Sequence, residues 1–313
     1  MELSMQTTKR KKKREINRRI LSLYSMCVIP MALLFVFSYL PMVGIIIAFK
    51  DYKYSQGVFG SKWVGLENFK FFLRSNDFVE ITWNTLYMNF LFIIFGIIAA
   101  LAVAILFYYI HSRKVVKTFQ TIFITPHFLS YVVVGYMVYA ILQPQYGVMN
   151  SLLTKVGISP VDWYSAPKAW PAILLIASVW KNVGMDSVIY YAALMGIDSA
   201  LFDAAAVDGA GDWKIIKHII LPCLIPIVSI MTILKIGGIF RADFGLFYQL
   251  TRDSGALYST TDVIDTYVFR MMRQMGEMGI SSAIGLLQSI VGLVMVLITN
   301  KVSKLIDSEN GLF

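Results

Sequence analysis

Trp180, Lys181 and Asn182 stand together near the middle of a long apolar stretch of the sequence. An ionisable side chain in such a stretch is costly to bury, so it marks a candidate functional site. Trp180 adds an aromatic face, and Asn182 adds a hydrogen-bond donor and an acceptor. We interpret these three residues as candidates for lining a path for a polar solute through an apolar layer. The alternative is that Trp180-Lys-x-x-Gly184 packs helices together, because small residues let helices approach closely.

Three further polar residues extend this candidate path. Arg241 and Asp243 follow the end of the next apolar stretch, and Gln288 lies within the last one. Lys235 lies close to Arg241 in sequence, and both long side chains can instead extend to the polar edge of the apolar layer. The sequence leaves these two interpretations of the basic residues open.

A different chemistry is indicated between residues 198 and 213, where small residues alternate with carboxylates. Asp198 or Ser199 can cap a short helix over about residues 199–209, and Gly209 can end it because glycine enters the left-handed region without penalty. Helical spacing places four residues on one face: Leu201, Ala204, Ala205 and Asp208. A face rich in alanine permits close approach by another surface.

The partner of this helix can be argued from its charge. A helix that lies on lipid headgroups normally carries large apolar residues and basic flanks. This one carries Asp198, Asp203 and Asp208 instead. The pattern therefore favours docking against a protein rather than against an anionic membrane.

No catalytic constellation emerges from the sequence. His111, His127 and His218 are scattered, and none has a cysteine or carboxylate at metal-ligand spacing. The sequence has no Gly-x-x-x-x-Gly-Lys-Ser/Thr phosphate loop. We therefore expect no catalytic residue, no metal, no cofactor and no ATP hydrolysis by this chain, and we interpret Cys27 and Cys223 as packing residues.

The composition indicates that lipid, rather than water, surrounds most of this chain. Of the 313 residues, 57% are hydrophobic and 15% are charged, against about 25% charged in soluble domains. A membrane-spanning helix needs about 20 apolar residues. Six segments qualify, and we predict an all-α membrane protein with spans at about residues 20–49, 81–110, 119–142, 170–195, 219–240 and 280–300.

The orientation follows from the positive residues near the spans. Residues 1–19 form a basic tail ahead of the first span, and the loop at 111–117 is also basic. Positive residues favour the cytoplasmic side, so both termini are expected in the cytoplasm of a plasma-membrane protein. The basic tail is interpreted as a topology signal rather than as a nucleic-acid site, and the apolar run is too long for a cleaved signal peptide.

The run Asp203-Ala-Ala-x-x-Asp-Gly-Ala, followed by Ile219-x-Leu-Pro-x-x-x-Pro226, resembles the signature loop of ABC importer permeases. Its usual first residue is glutamate, whereas this chain has Asp203. Other segments resemble the carbohydrate branch of that family, and among its members those importing plant-polysaccharide oligosaccharides in Gram-positive bacteria. These segments are residues 40–52, 63–69, 146–150, 180–184, 261–267 and 309–313.

The resemblance implies a type I importer permease fold with a cytoplasmic coupling helix, at residues 199–209 within a permease domain spanning 20–313. It implies alternating access by this chain and a second homologous permease. Two cytoplasmic ATPase subunits would bind ATP and magnesium and contact Leu201, Asp203, Ala204, Ala205, Asp208 and Gly209. An extracellular lipid-anchored binding protein would deliver an oligosaccharide, with Trp180 and Asn182 facing the path.

Other functions stay open at this point. Within the family, the solute can be a peptide or an amino acid. Outside it, the chain can be a membrane-embedded enzyme or an ion channel, although no filter segment or charged ring is evident. If Lys181, Lys235 and Arg241 make the path basic, the solute is expected to be an acidic oligosaccharide that contains uronic acids.

Overall fold

The computed structural model describes residues 23–306, with the side chains of residues 303, 305 and 306 excepted. The predicted basic tail at 1–19 and the segment 309–313 lie outside the described residues. Apart from two short paired strands, the regular structure is helical. The prediction of an all-α protein is confirmed.

Within residues 23–306, five helices are long and apolar enough to cross a membrane, and a bent helix pair makes a sixth span if it is counted as one. Their bounds are α1, Leu23–Phe49; α4, Asp77–Tyr109; Pro167–Leu194, which contains α8, Trp170–Leu194; Asp212–Gly237; and α15, Met278–Ile306. The bent pair is α5, Arg113–Ile124, with its 3₁₀ extension Thr125–Phe128, followed by α6, Tyr131–Leu142. The helix Asp212–Gly237 comprises α10, Asp212–Ile215, a π-helical stretch at Ile216–Ile220, and α11, Leu221–Gly237.

The shorter elements lie at the two ends of this bundle. One end, called here the cap end, holds β1, Lys50–Asp51; β2, Lys62–Trp63; α2, Gly57–Gly60; α3, Glu67–Arg74; α7, Val148–Lys155; α13, Tyr258–Thr261; and α14, Ile264–Arg273. α12, Phe244–Thr251, leads from the bundle into the cap end, and the strands pair antiparallel with Lys50 opposite Trp63. The opposite end holds α9, Ser199–Val207. The largest buried cluster lies where α4, α6, α8 and α12 meet around Trp170, Leu246 and Phe247.

The third predicted span, 119–142, is not one straight helix. The chain bends by 96° between the 3₁₀ turn at Thr125–Phe128 and α6. Pro126 has no N–H to continue the helix, and Ser130 starts α6 by accepting a hydrogen bond from the Val133 amide at 3.4 Å. The predicted span therefore corresponds to a bent helix pair, and the bend was not predicted because apolar periodicity does not register it.

A buried ion-pair cluster holds the cap end together. The Arg270 guanidinium donates to the Asp253 carboxylate at 3.1 Å and also to the Asp262 carboxylate. All three side chains are no more than 16% exposed. The Asn84 amide of α4 donates to the Asp262 carbonyl oxygen at 3.1 Å, so this cluster also ties the cap end to the bundle. Burial raises the pKa of Asp262, while the neighbouring Arg270 acts to lower it.

Arg270→Met is therefore expected to destabilise the assembled protein by about 3–5 kcal/mol, because it leaves two buried carboxylates without their cation. A carboxyl whose pKa is higher in the folded state binds more protons when the protein is folded. Lowering the pH therefore removes the free-energy cost of burying its negative charge. In thermal melts, the loss of stability of Arg270→Met relative to the parent protein should be smaller at acidic pH than at neutral pH. Arg273→Met, at an exposed position on the same helix, is the control, and an equal loss there would contradict this account.

Candidate coupling surface and polar path residues

α9 begins and ends at capped positions. The Asp198 carboxylate accepts from the Ala200 amide at 3.0 Å. At the other end, the Ala210 amide donates to the Ala205 carbonyl oxygen at 2.9 Å, and the Gly209 amide donates to that of Ala206 at 3.1 Å. Gly209 has a φ of +67°. These bonds form a Schellman motif. The motif requires a residue in the left-handed backbone conformation, which glycine adopts most readily.

The exposed side of α9 differs from the predicted face at one position. Leu201, Asp203, Ala204 and Asp208 are exposed, whereas Ala205 is buried. Ala205 lies on the side of α9 that also carries Phe202, whose ring lies 5.5 Å from that of Tyr108. The burial of Ala205 argues against its predicted contact with a partner surface, because the bundle packs on that side of the helix.

Two exposed apolar residues, one at the end of α9 and one in the helix that follows, were not among the predicted contacts. Val207 is 89% exposed, and Trp213 at the start of the next helix is 75% exposed. Leu201, Ala204, Val207, Asp208 and Trp213 together are called the α9 surface. A run of large apolar side chains in water is unfavourable unless a partner covers it. The sequence signal was present in the residue types of Val207 and Trp213, but not in the alanine pattern.

Trp180 and Asn182 point to different parts of the molecule. Trp180 is 40% exposed and lines an apolar groove of about 270 Å³ between α6 and α8, with Ile141, Ile173 and Ile176 among its neighbours. Residues two apart on a helix do not share a face. The two side chains therefore do not line one surface, contrary to the expectation, and the surroundings of Trp180 are those of a packing or lipid-facing residue.

Lys181 holds the bend between α5 and α6. Its buried ammonium donates to the carbonyl oxygens of Pro126, His127 and Leu129, at 3.3, 2.7 and 2.5 Å. It also lies 4.9 Å from the centroid of the Tyr131 ring. An ammonium has three donors, and all three are used on backbone groups that the bend frees. Its contacts are those of a structural residue rather than of a path residue.

Asn182 belongs to a half-buried polar group at the same bend. Its side-chain oxygen lies 3.2 Å from Nδ1 of His127, and its amide donates to the Ser178 carbonyl oxygen at 3.0 Å. The Tyr131 side chain also interacts electrostatically with Asn182 and Asp243. His127, Tyr131, Asn182 and Asp243 are called the bend cluster. Asp243 is its most exposed member, so the cluster is accessible from outside the protein at that residue.

The other predicted path residues have defined structural partners. Gln288 is buried and donates to the Phe240 carbonyl oxygen at 2.7 Å and to the Asp265 carboxylate at 3.3 Å. Arg241 is exposed and donates to the Ser289 hydroxyl at 2.8 Å. Gln288 is thus a structural link between α15 and the turn before α12, while Arg241 stays accessible.

Lys235, close to Arg241 in sequence, is neutralised by an ion pair. Its ammonium lies 2.7 Å from the Asp186 carboxylate of α8. With Lys181 committed to backbone carbonyls, the bundle therefore does not present the row of free cations on which the acidic-solute interpretation rested.

Comparison with known proteins decides the family. Residues 92–308 match the binding-protein-dependent transport system inner membrane component family. The chain belongs to this family. It is a multi-pass membrane permease of a transport system that works with a binding protein, and the prediction from the α9 sequence is confirmed at this level.

This inner membrane component is similar to two proteins of Bacillus subtilis (strain 168). Protein LplB is 32% identical over 89% of this chain and 86% of its own length. The polygalacturonan/rhamnogalacturonan transport system permease protein YteP is 29% identical over 96% of this chain and 94% of its own length.

The fold of this permease is also that of a solved transporter. The chain superimposes with a TM-score of 0.84 on a chain of a bacterial ABC transporter involved in the import of the acidic polysaccharide alginate. The two are 33% identical, and the match covers 94% of this chain and 98% of the other. The same likeness holds for the alginate transporter in complex with its alginate pentasaccharide-bound periplasmic protein, with a TM-score of 0.83. The ABC importer permease fold is therefore confirmed.

Proposed function

We propose that this permease is one of two channel-forming subunits of an ATP-driven importer of oligosaccharides. The observation that carries the proposal is the likeness, over nearly the whole chain, to a transporter of the polysaccharide alginate. The resemblance to a polygalacturonan/rhamnogalacturonan permease over 96% of this chain supports the same class of solute.

The proposed assembly assigns different partners to the two ends of the bundle. In this proposal, both termini and the α9 surface lie in the cytoplasm. Two ATPase subunits cover the α9 surfaces of this chain and of a second, homologous permease. A lipid-anchored binding protein delivers the sugar at the cap end. ATP and magnesium bind to the ATPases, and this chain supplies no catalytic residue.

The contact with the ATPase is built on the exposed side of α9. Leu201, Val207 and Trp213 offer apolar area, and Asp203 and Asp208 offer charge at its edge. Apolar residues at the centre of an interface with polar residues at its rim are the usual arrangement of protein–protein contacts. Because α9 is capped at both ends, motion of the ATPase is transmitted to α8 and to the helix Asp212–Gly237 rather than absorbed by unwinding.

The bend cluster is the proposed polar contact along the path. Asn182 and Asp243 offer an amide and a carboxylate to sugar hydroxyls, and Tyr131 adds an aromatic ring. Arg241 is accessible at the same turn as Asp243. Trp180, Lys181 and Gln288 act instead through packing and hydrogen bonds to the backbone.

The proposal is tested by reconstituting this chain with its second permease, ATPase and binding protein in proteoliposomes. ATP-dependent uptake is measured for labelled oligosaccharides, peptides and amino acids. Uptake of oligosaccharides is expected. Uptake of peptides or amino acids, with no uptake of any oligosaccharide, would show that this chain belongs to an importer of peptides or amino acids.

Asn182→Ala is expected to lower oligosaccharide uptake by about tenfold, because it removes one hydrogen-bonding side chain from a partly desolvated site. Complex assembly, measured by gel filtration, should be retained. Trp180→Phe, two residues away on the apolar groove, is the matched control and should leave uptake within about twofold of the parent. Normal uptake by Asn182→Ala would remove the bend cluster from the path.

A further inference from the structure

A small cavity near the cap end combines aromatic rings with a cation. It measures about 210 Å³ and lies between α6 and α12. Its lining includes Tyr136, Tyr139, Tyr248, Gln249 and Arg252. Pockets that enclose whole drug-sized ligands are about 300–1,000 Å³, so this cavity fits one ring of a longer molecule.

The cavity exists because two helices approach closely at a glycine. A Cβ on Gly135 of α6 would lie 2.7 Å from the Gln249 carbonyl oxygen of α12. This contact fixes the two tyrosines of α6 relative to Tyr248. Tyr248 is held in turn by ring contacts with Phe244 at 4.9 Å and with Phe269 at 5.1 Å. The aromatic walls are therefore pre-organised by the fold.

Arg252 supplies the cation of this cavity. Its guanidinium lies 4.2 Å from the centroid of the Tyr139 ring, and no ion pair joins it to any carboxylate in residues 23–306. Lys181 and Lys235 are occupied by carbonyls and by Asp186, as described above. The side chain of Arg252 is exposed, so its hydrogen-bonding edge is open to a ligand.

A strained turn aims Arg252 at the cavity. Arg252 and Asp253 have φ values of 58° and 50°, and each non-glycine residue in this region costs about 1–2 kcal/mol. The strain is held by Asp253, whose carboxylate accepts from Arg270 at 3.1 Å and from the Tyr258 hydroxyl at 3.0 Å. Strain that the surroundings maintain in this way is typical of functional positions.

These groups match the chemistry of an acidic sugar. A guanidinium binds a carboxylate through two parallel hydrogen bonds. Aromatic faces cover the apolar side of a pyranose ring, and the Gln249 amide can hydrogen-bond hydroxyls. A neutral sugar would leave the guanidinium without a partner of opposite charge.

We infer that Arg252, with Tyr139 and Tyr248, forms a subsite that takes one uronate residue of the transported oligosaccharide. This inference rests on the proposed function and adds to it the charge of the solute and the place where that charge is recognised. The subsite is lined by residues different from those of the bend cluster.

The test uses two labelled solutes of equal length that differ in charge, an oligogalacturonate and its fully methyl-esterified form. Uptake of both is measured with the complete importer in proteoliposomes, for the parent and for Arg252→Gln. The ratio of acidic to esterified uptake is compared between the two proteins, so that any preference of the binding protein cancels. The ratio should fall by about tenfold, as expected for loss of a charge-assisted contact.

Two further variants separate binding from turn structure. Arg273→Gln removes an exposed cap-end cation outside the cavity and should leave the ratio unchanged. Arg252→Lys keeps the charge but loses the planar fork, and its ratio should lie between those of the parent and Arg252→Gln. An unchanged ratio in Arg252→Gln, or an equal loss for both solutes, would overturn the inference.

The failure of the inference can be told apart from that of the proposed function. A parent importer that takes up oligosaccharides but prefers only neutral ones would overturn the uronate subsite alone. A parent importer that takes up no oligosaccharide of any charge would overturn the proposed function as well.

Discussion

Replacing Gly209 with valine is expected to leave the assembled importer hydrolysing ATP while oligosaccharide uptake falls by about tenfold or more. Gly209 holds a φ of +67°, and its amide and that of Ala210 close the C-terminus of α9. A β-branched residue is strained in this region of backbone space. Relief of that strain opens the Schellman motif and displaces the exposed side of α9 from its partner. ATP turnover then continues without moving the gate.

The matched control for this prediction lies two residues away. Gly211 is in the same loop, but its backbone is extended at φ −77°, which suits valine. A Cβ at either glycine would meet no atom within 4 Å, so added volume is not the difference between the two sites. Gly211→Val should keep normal coupling, as should Gly209→Asn, because asparagine tolerates the left-handed region. Equal loss in Gly211→Val and Gly209→Val would show that backbone conformation is not the cause.

Gly184→Ala is expected to prevent stable assembly of the protein. A Cβ at this position would lie 2.0 Å from the Phe123 carbonyl oxygen and 2.6 Å from the Ile124 amide nitrogen. These are backbone atoms of α5, so only a shift of the whole helix relieves the clash. Lys181, one turn away on α8, would then lose its bonds to the carbonyls of the bend. Overpacking alone costs about 1–3 kcal/mol, and each orphaned buried carbonyl adds about 1–3 kcal/mol.

Assembly is measured by the yield of monodisperse complex after membrane extraction and by its melting temperature. Gly96→Ala on α4 is the control, because a Cβ there meets nothing within 4 Å and alanine favours the helix. Lys181→Met tests the carbonyl bonds without the clash, and it should lower the melting temperature as well. Normal yield and melting of Gly184→Ala would mean that α5 and α8 do not meet at this glycine.

The long helices were predictable because their signal is local. Each apolar stretch is long enough to be recognised without knowledge of its neighbours. The bend before α6 was not predictable in this way, since its carbonyls are satisfied by Lys181, which lies more than fifty residues later in the chain. Pro126 was a local signal of the break, but a proline alone does not distinguish a kink from a 96° turn.

The candidate sites were predictable to different degrees. Capping residues and the glycine at 209 define α9 from local sequence alone, whereas the burial of Ala205 depends on which side packs against the bundle. The 3.6-residue period of a helix places Trp180 and Asn182 on different faces, so the sequence alone could have shown that they do not line one surface. Arg252 gave no signal in the sequence, because its proposed role depends on a left-handed turn and on a ring from a different helix. Tertiary contacts of this kind decide which polar residues are free to bind.

The most direct test of the coupling account is crosslinking from Val207, the most exposed apolar residue of the α9 surface. Val207→Cys is placed in a background that carries Cys27→Ser and Cys223→Ser, and the assembled importer is treated with a short bifunctional thiol reagent. A covalent product with the ATPase subunit is expected from Val207→Cys. None is expected from Val156→Cys, which is 77% exposed at the cap end. An ATPase product from residue 156 and none from residue 207 would contradict the account.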